Sequence, residues 1–74
     1  MQITVSLHGV FRIDRFKLET REYSTGTITQ KVIDDLQIPV KLLGIILING
    51  THAKAEDILH GGDTLMLLPL LEGG

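Results

Sequence analysis

Between Gln2 and His8 the chain alternates strictly, with Ile3, Val5 and Leu7 on one side and Gln2, Thr4, Ser6 and His8 on the other. A period of two sends successive side chains to opposite faces, so this stretch predicts a half-buried strand. Gly9 interrupts it, and alternation resumes with Phe16, Leu18 and Thr20 set against Lys17, Glu19 and Arg21. Two antiparallel strands joined through residues 9–15 are expected. Ser24-Thr25-Gly26 closes the second strand. Thr27-Ile28-Thr29-Gln30 has the form of a capping box, Thr27 capping and Gln30 reaching back, which predicts a helix over about 28–36. Its apolar positions Ile28, Val32 and Leu36 are spaced by four with Ile33 beside them, while Gln30, Lys31, Asp34 and Asp35 face away. Ile38-Pro39 stops the helix, because a residue before proline avoids the α region.

Gly44-Ile45-Ile46-Leu47-Ile48 is apolar without alternation, as in a central strand covered on both faces or used as a contact surface. Asn49-Gly50 signals a tight turn. Residues 51–59 are short and mixed, predicting an edge strand and a single helical turn that docks Ile58 and Leu59. His60-Gly61-Gly62-Asp63 reads as a turn. A last strand begins near Thr64 and ends at about Pro69, where proline removes a ladder donor. The pattern as a whole predicts an α+β roll with a mixed sheet of four to five strands around one main helix. One domain over residues 1–69 and a flexible tail over 70–74 are expected, and no repeat or linker marks a second domain.

At 74 residues the chain holds one small core, too little to enclose a deep substrate pocket, which favours a carrier, binder or subunit over an enzyme. With 43% apolar and 22% charged residues the composition is ordinary for a globular protein. There is no cysteine, hence no disulfide framework, thiol nucleophile or Cys-based zinc site. Met1-Gln2-Ile3-Thr4-Val5 has neither a basic leader nor an apolar h-region, and no apolar run approaches the ~20 residues that span a bilayer. A soluble cytoplasmic protein without membrane contact is expected. Residues 1–38 balance five basic against five acidic side chains, whereas residues 39–74 carry two basic and four acidic, so the C-terminal half bears the net charge of −2. That fits a partner with a basic docking surface, or simply a solvated face. Three scattered aromatics, Phe11, Phe16 and Tyr23, and no basic stripe argue against nucleic acid. His8, His52 and His60 lack ligand spacing, so neither a metal site nor a bound cofactor is expected.

The chemistry concentrates at the end. Leu65-Met66-Leu67-Leu68-Pro69-Leu70-Leu71-Glu72 runs into Gly73-Gly74. A diglycine carries its one reactive group, the α-carboxylate of Gly74, on a thread without side chains to obstruct entry into another protein's active site. A frayed end is the alternative for such a pair. Taken with Ile48-Asn49-Gly50 and with Leu59-His60-Gly61-Gly62-Asp63 leading into an apolar strand, the diglycine behind Pro69 resembles the MoaD/ThiS family of ubiquitin-like sulfur carriers. The resemblance covers essentially the whole chain.

The resemblance implies a β-grasp (ubiquitin-like) fold with the first and last strands parallel at the sheet centre, the helix across one face and the tail projecting. It also implies that a ubiquitin-activating-type enzyme adenylates the Gly74 carboxylate with ATP. A sulfur donor then makes a thiocarboxylate, and a sulfur-accepting synthase consumes it in molybdopterin, tungstopterin or thiamine thiazole synthesis. By the same resemblance Gly74 is expected to be the adenylation and thiocarboxylate site, with Gly73 giving it access. Family tails often place a small residue where this chain has Glu72, which bears on the choice of partner enzyme. In the last strand, alternation sends Leu65 and Leu67 toward the helix. Met66, Leu68 and Leu70, with one isoleucine set taken as Ile46 and Ile48, then form an exposed partner-docking patch. A homodimer seam or packing under residues 9–15 are the alternatives for that patch. Two other roles remain open for the chain, a protein modifier conjugated through Gly74 and a non-covalent β-grasp interaction subunit.

Overall fold

The structure is a computed structural model that describes residues 1–70. The alternation at the start folds as expected. Strand β1 spans Gln2–Leu7, with Ile3, Val5 and Leu7 completely buried. It pairs antiparallel with β2, Leu18–Glu22. The connection is not an open loop, for a 3₁₀ turn at Gly9–Arg12 drops Phe11 fully into the core. After the helix come β3, Leu43–Ile48, a two-residue β4, Thr51–His52, and β5, Thr64–Pro69. The sheet order is β2-β1-β5-β3-β4, with β1 and β5 parallel at the centre and the other pairs antiparallel.

The helix α1, Thr29–Asp35, starts by a different device from the one its sequence announces. The Thr27 hydroxyl donates to the Ser24 carbonyl at 2.7 Å, and Gln30 Nε2 donates to Asp34 Oδ1 at 2.8 Å, so no capping box forms. The N–H groups of Thr29 and Gln30 donate instead to the carbonyls of Asp57 and Ala55, at 2.9 and 2.8 Å. A distant loop thereby satisfies amides that local side chains usually serve. Ile28 lies outside the helix in an isolated bridge to Ile58 and is partly exposed. The buried stripe is Thr29, Val32, Ile33 and Leu36, at the i, i+3, i+4, i+7 spacing of one helix face. At the C-terminus Gln37 takes a φ of 54°, and Ile38 N–H donates to the Ile33 carbonyl at 3.1 Å, a Schellman-type ending. Arg15 Nε and Nη2 donate to the freed carbonyls of Leu36 and Gln37, both at 2.9 Å.

Residues 53–58 form a turn without a helical stretch, in which Leu59 is buried and Ile58 remains 53% exposed, so only one of the two expected side chains docks. Asn49 and Gly50 make the β3–β4 turn with φ values of 53° and 82°, a conformation that asparagine and glycine tolerate best. Asn49 also ties this turn to the one before β5. Its Nδ2 donates to Asp63 Oδ1 and its Oδ1 accepts the Thr64 N–H, both at 2.9 Å. The core contains Ile3, Val5, Leu7, Phe11, Val32, Ile33, Leu36, Ile38, Leu59, Leu65 and Leu67 between the sheet and α1. Among the described residues no helix is long and apolar enough to cross a membrane.

Candidate functional site: the open sheet face and the chain exit

Strand pairing decides which apolar side chains are free for a partner, since residues paired across neighbouring strands share a face. Leu65 and Leu67 are fully buried on the helix side. Their β3 partners are Ile48 and Ile46, both packed against the core. This corrects the expected patch. Ile46 and Ile48 belong to the core face, and the β3 residues that share the open face with Met66 and Leu68 are Leu47 and Ile45. Met66 pairs on its other side with Ser6, so the open face turns polar at β1. Leu70 stands 56% exposed at the end of the patch and Ile45 is 38% exposed. Met66 and Leu68 thus lie on the face that alternation predicts, and Leu70 is exposed just beyond β5.

β5 ends in a tight passage at Pro69 and Leu70. Between the pairs Leu43–Pro69 and Ile45–Leu68 the register shifts, leaving Gly44 as an extra residue on β3. The backbone of Leu70 lies directly against it. A Cβ on Gly44 would sit 2.9 Å from both N and Cα of Leu70. Leu70 N–H donates to the Leu42 carbonyl at 2.6 Å, so pairing continues one residue beyond Pro69. On the other side Gly9 abuts the Pro69 ring, where a Cβ would come within 3.0 Å of Cγ. Beside this passage lies a groove of about 470 Å³, lined by polar as well as apolar side chains, whose rim includes the exposed Val10, Ile13 and Leu42. Sequence reading missed Gly44 and this rim. A lone glycine at the start of an apolar run is the signal for the bulge. Val10 and Leu42 belong to 3₁₀ turns at residues 9–12 and 40–42 that no period reveals, and Ile13 directly follows the first.

Gly73 and Gly74, the expected activation site, lie outside the described residues, as does Glu72. The histidines stay apart. His8 Nε2 is 3.3 Å from Ser6 Oγ, His60 Nδ1 is 3.9 Å from Asp63 Oδ2, and His52 is exposed on β4. Among the described residues no three His, Asp or Glu side chains gather to hold a metal ion. On the far side of the sheet, burial opposes the Arg21 charge. Hydrogen bonds from Arg21 to Tyr23 and Glu19 outweigh that cost and hold its pKa above the usual guanidinium value. This is a fixed cation rather than an acid–base group.

A five-stranded mixed sheet with parallel first and last strands, crossed by one helix, is the β-grasp fold of the MoaD/ThiS-type ubiquitin-like proteins. Solved structures agree. The chain is similar to SAMP1 from Haloferax volcanii, with a TM-score of 0.81 at 17% identity over 100% of both chains. It is similar to a putative molybdopterin converting factor subunit 1 from Pyrococcus furiosus, with a TM-score of 0.79 at 17% identity over 96% of this chain and 99% of that one. A complex of subunits 1 and 2 of molybdopterin-converting factor from Helicobacter pylori also matches, with a TM-score of 0.68 at 18% identity over 100% of both chains. At such identities the likeness is one of fold. No protein-family model and no curated protein sequence matches the chain.

Proposed function

We propose that this chain is a ubiquitin-like sulfur carrier, activated at the α-carboxylate of Gly74 and acting as co-substrate of partner enzymes. The observation that carries the proposal is the position of the diglycine. The last central strand of a β-grasp sheet releases the chain at Leu70, and Gly73 and Gly74 are the third and fourth residues beyond it. Four extended residues reach roughly 13–14 Å, enough to enter a channel while the folded body stays docked outside. A carboxylate is a poor acyl donor, because its oxygen leaves reluctantly. Attack of the Gly74 carboxylate on the α-phosphate of ATP, with loss of pyrophosphate, gives an acyl-adenylate whose AMP leaves readily. Attack by sulfide-level sulfur, as hydrosulfide, forms the carbon–sulfur bond, expels AMP and yields the thiocarboxylate.

The open face of Ile45, Leu47, Met66, Leu68 and Leu70 supplies the docking surface for the adenylating enzyme and for the synthase that takes the sulfur. Likeness to the subunit 1 proteins from Pyrococcus furiosus and Helicobacter pylori, the latter solved with its subunit 2, supports molybdopterin-type cofactor synthesis as the destination and a synthase partner. Thiamine thiazole is the other product class for such a carrier. A second role is favoured by the likeness to the small archaeal modifier protein 1 of Haloferax volcanii, namely conjugation of Gly74 to lysines through an isopeptide bond. Both roles share the adenylation step.

ATP–pyrophosphate exchange catalysed by the host's ubiquitin-activating-type enzyme tests that step. Addition of the chain is expected to stimulate exchange, and Gly74→Val or Gly73→Val to abolish it without unfolding the domain. Undiminished exchange with Gly74→Val would remove Gly74 from the chemistry.

A further inference from the structure

We infer that Gly44 is a positioning residue for the activated end of the chain, holding the exit strand by lacking a side chain. The inference rests on the proposal that Gly74 is adenylated, and Gly44 acts through Leu70. Gly44 is the extra residue of the β3 bulge, and the backbone of Leu70 occupies the space a Cβ would need. Its own backbone does not fall in the left-handed region, unlike that of Gly9 at φ 56°. Alanine at position 44 therefore meets a purely steric conflict, with the N and Cα of Leu70 at 2.9 Å and the carbonyl carbon of Pro69 at 3.1 Å. These are backbone atoms, which have no rotamer to escape into. Relief to ordinary contact at 3.4–4 Å requires Leu70 to move away from β3. That movement stretches the 2.6 Å hydrogen bond from Leu70 N–H to the Leu42 carbonyl, the last bond holding the chain to the sheet among the described residues.

Gly9 closes the other side, since its missing side chain lets the Pro69 ring seat at the end of β1. Two glycines, one in the β3 bulge and one in the turn after β1, thus fix both position and direction at the end of β5. Only four residues separate Leu70 from the end of the sequence, so the exit sets how far and at what angle the terminal carboxylate enters a partner docked on the open face. A displacement of about 1 Å between reacting groups can cost on the order of 100-fold in rate. Rotation about the backbone bonds beyond Leu70 absorbs part of such a shift, so roughly a tenfold loss is expected for Gly44→Ala, in kcat more than in KM because Ile45, Leu47, Met66 and Leu68 of the docking face keep their places.

The test pairs amide hydrogen exchange with steady-state adenylation, using the whole chain and the host's adenylating enzyme. Gly44→Ala is expected to expose the Leu70 amide to exchange while the amides of Leu65 and Leu67 stay protected, and to lower the kcat of adenylation about tenfold. Gly26→Ala is the control, because Gly26 sits in an open turn at φ 92° with nothing within 4 Å, and alanine there strains the backbone without touching the exit. It is expected to leave both readouts at wild-type values. Should Gly44→Ala not fold, Leu70→Pro removes the same N–H donor and is expected to lower kcat likewise, read against Leu70→Ala, which removes the same docking side chain but keeps the N–H and is expected to raise KM alone. Wild-type kcat with an exposed Leu70 amide, or an unchanged Leu70 amide in Gly44→Ala, would overturn the inference. If the unmutated chain is not adenylated at all, the sulfur-carrier proposal fails, and with it the role of Gly44 in activation, whereas the exchange data still decide whether Gly44 holds Leu70.

Discussion

Asn49 joins two turns with one side chain, accepting from the Thr64 amide and donating to Asp63, whose second oxygen accepts the His60 N–H at 2.8 Å. Alanine at position 49 loses both bonds and must still hold a positive φ. A loss of about 1–3 kcal/mol in urea-unfolding free energy is expected for Asn49→Ala. Asp63→Ala breaks the same network from its other end, so the double variant is expected to lose less than the sum of the singles. Additive losses would show that the two side chains act separately. At this scale Asn49-Gly50 and His60-Gly61-Gly62-Asp63 are legible as turns, because their backbone demands select a few residue types. The bond between them is not, since Asn49 and Asp63 are fourteen positions apart and only the fold brings them together.

At the scale of elements, α1 shows where local pattern gives way to tertiary contact. Thr27 and Gln30 have the spacing of a capping box, yet carbonyls of Asp57 and Ala55 occupy the amides such a box would serve. Thr27→Ala is therefore expected to change stability by less than about 0.5 kcal/mol, as for an ordinary surface substitution, instead of the 0.5–2 kcal/mol typical of a lost N-cap. Thr29→Val should cost more, about 1 kcal/mol, because the fully buried Thr29 hydroxyl donates to the Asp57 carbonyl at 3.1 Å. Chemical denaturation of both variants checks the order, and a larger loss for Thr27→Ala would restore the capping box. β3 presents the same lesson in another form. Gly44-Ile45-Ile46-Leu47-Ile48 carries no polar residue to mark its outer face, so its phase is not written in the run. Register against β5 sets it, and a one-residue difference exchanges Ile46 and Ile48 for Ile45 and Leu47 on the open face. In β1, polar residues mark every second position and the inward set is plain.

For the whole molecule, alternation, turn residues and the single amphipathic helix are enough to predict a mixed roll around one helix, and the parallel central strands come only with the resemblance. The resemblance carried by the turns and the diglycine supplied the expected topology, and the sheet order agrees with it. The molecule divides its two sheet faces. One builds the core against α1, and the other leaves apolar β3 and β5 side chains beside the exit at Leu70. In the proposed carrier that geometry puts docking and chemistry on separate parts: the open face chooses the enzyme, Gly44 and Gly9 aim the chain, and Gly74 reacts. The acidic balance of residues 39–74, Glu72 included, is the feature expected to select a partner with a basic surface around its channel. Intact mass spectrometry of the chain isolated from its own host tests the central claim most directly. The account predicts a fraction of molecules in which one oxygen of the terminal carboxylate is replaced by sulfur, and its complete loss when Gly73 and Gly74 are deleted. Only unmodified chain, with the host's sulfur-containing cofactors undiminished by that deletion, would contradict it.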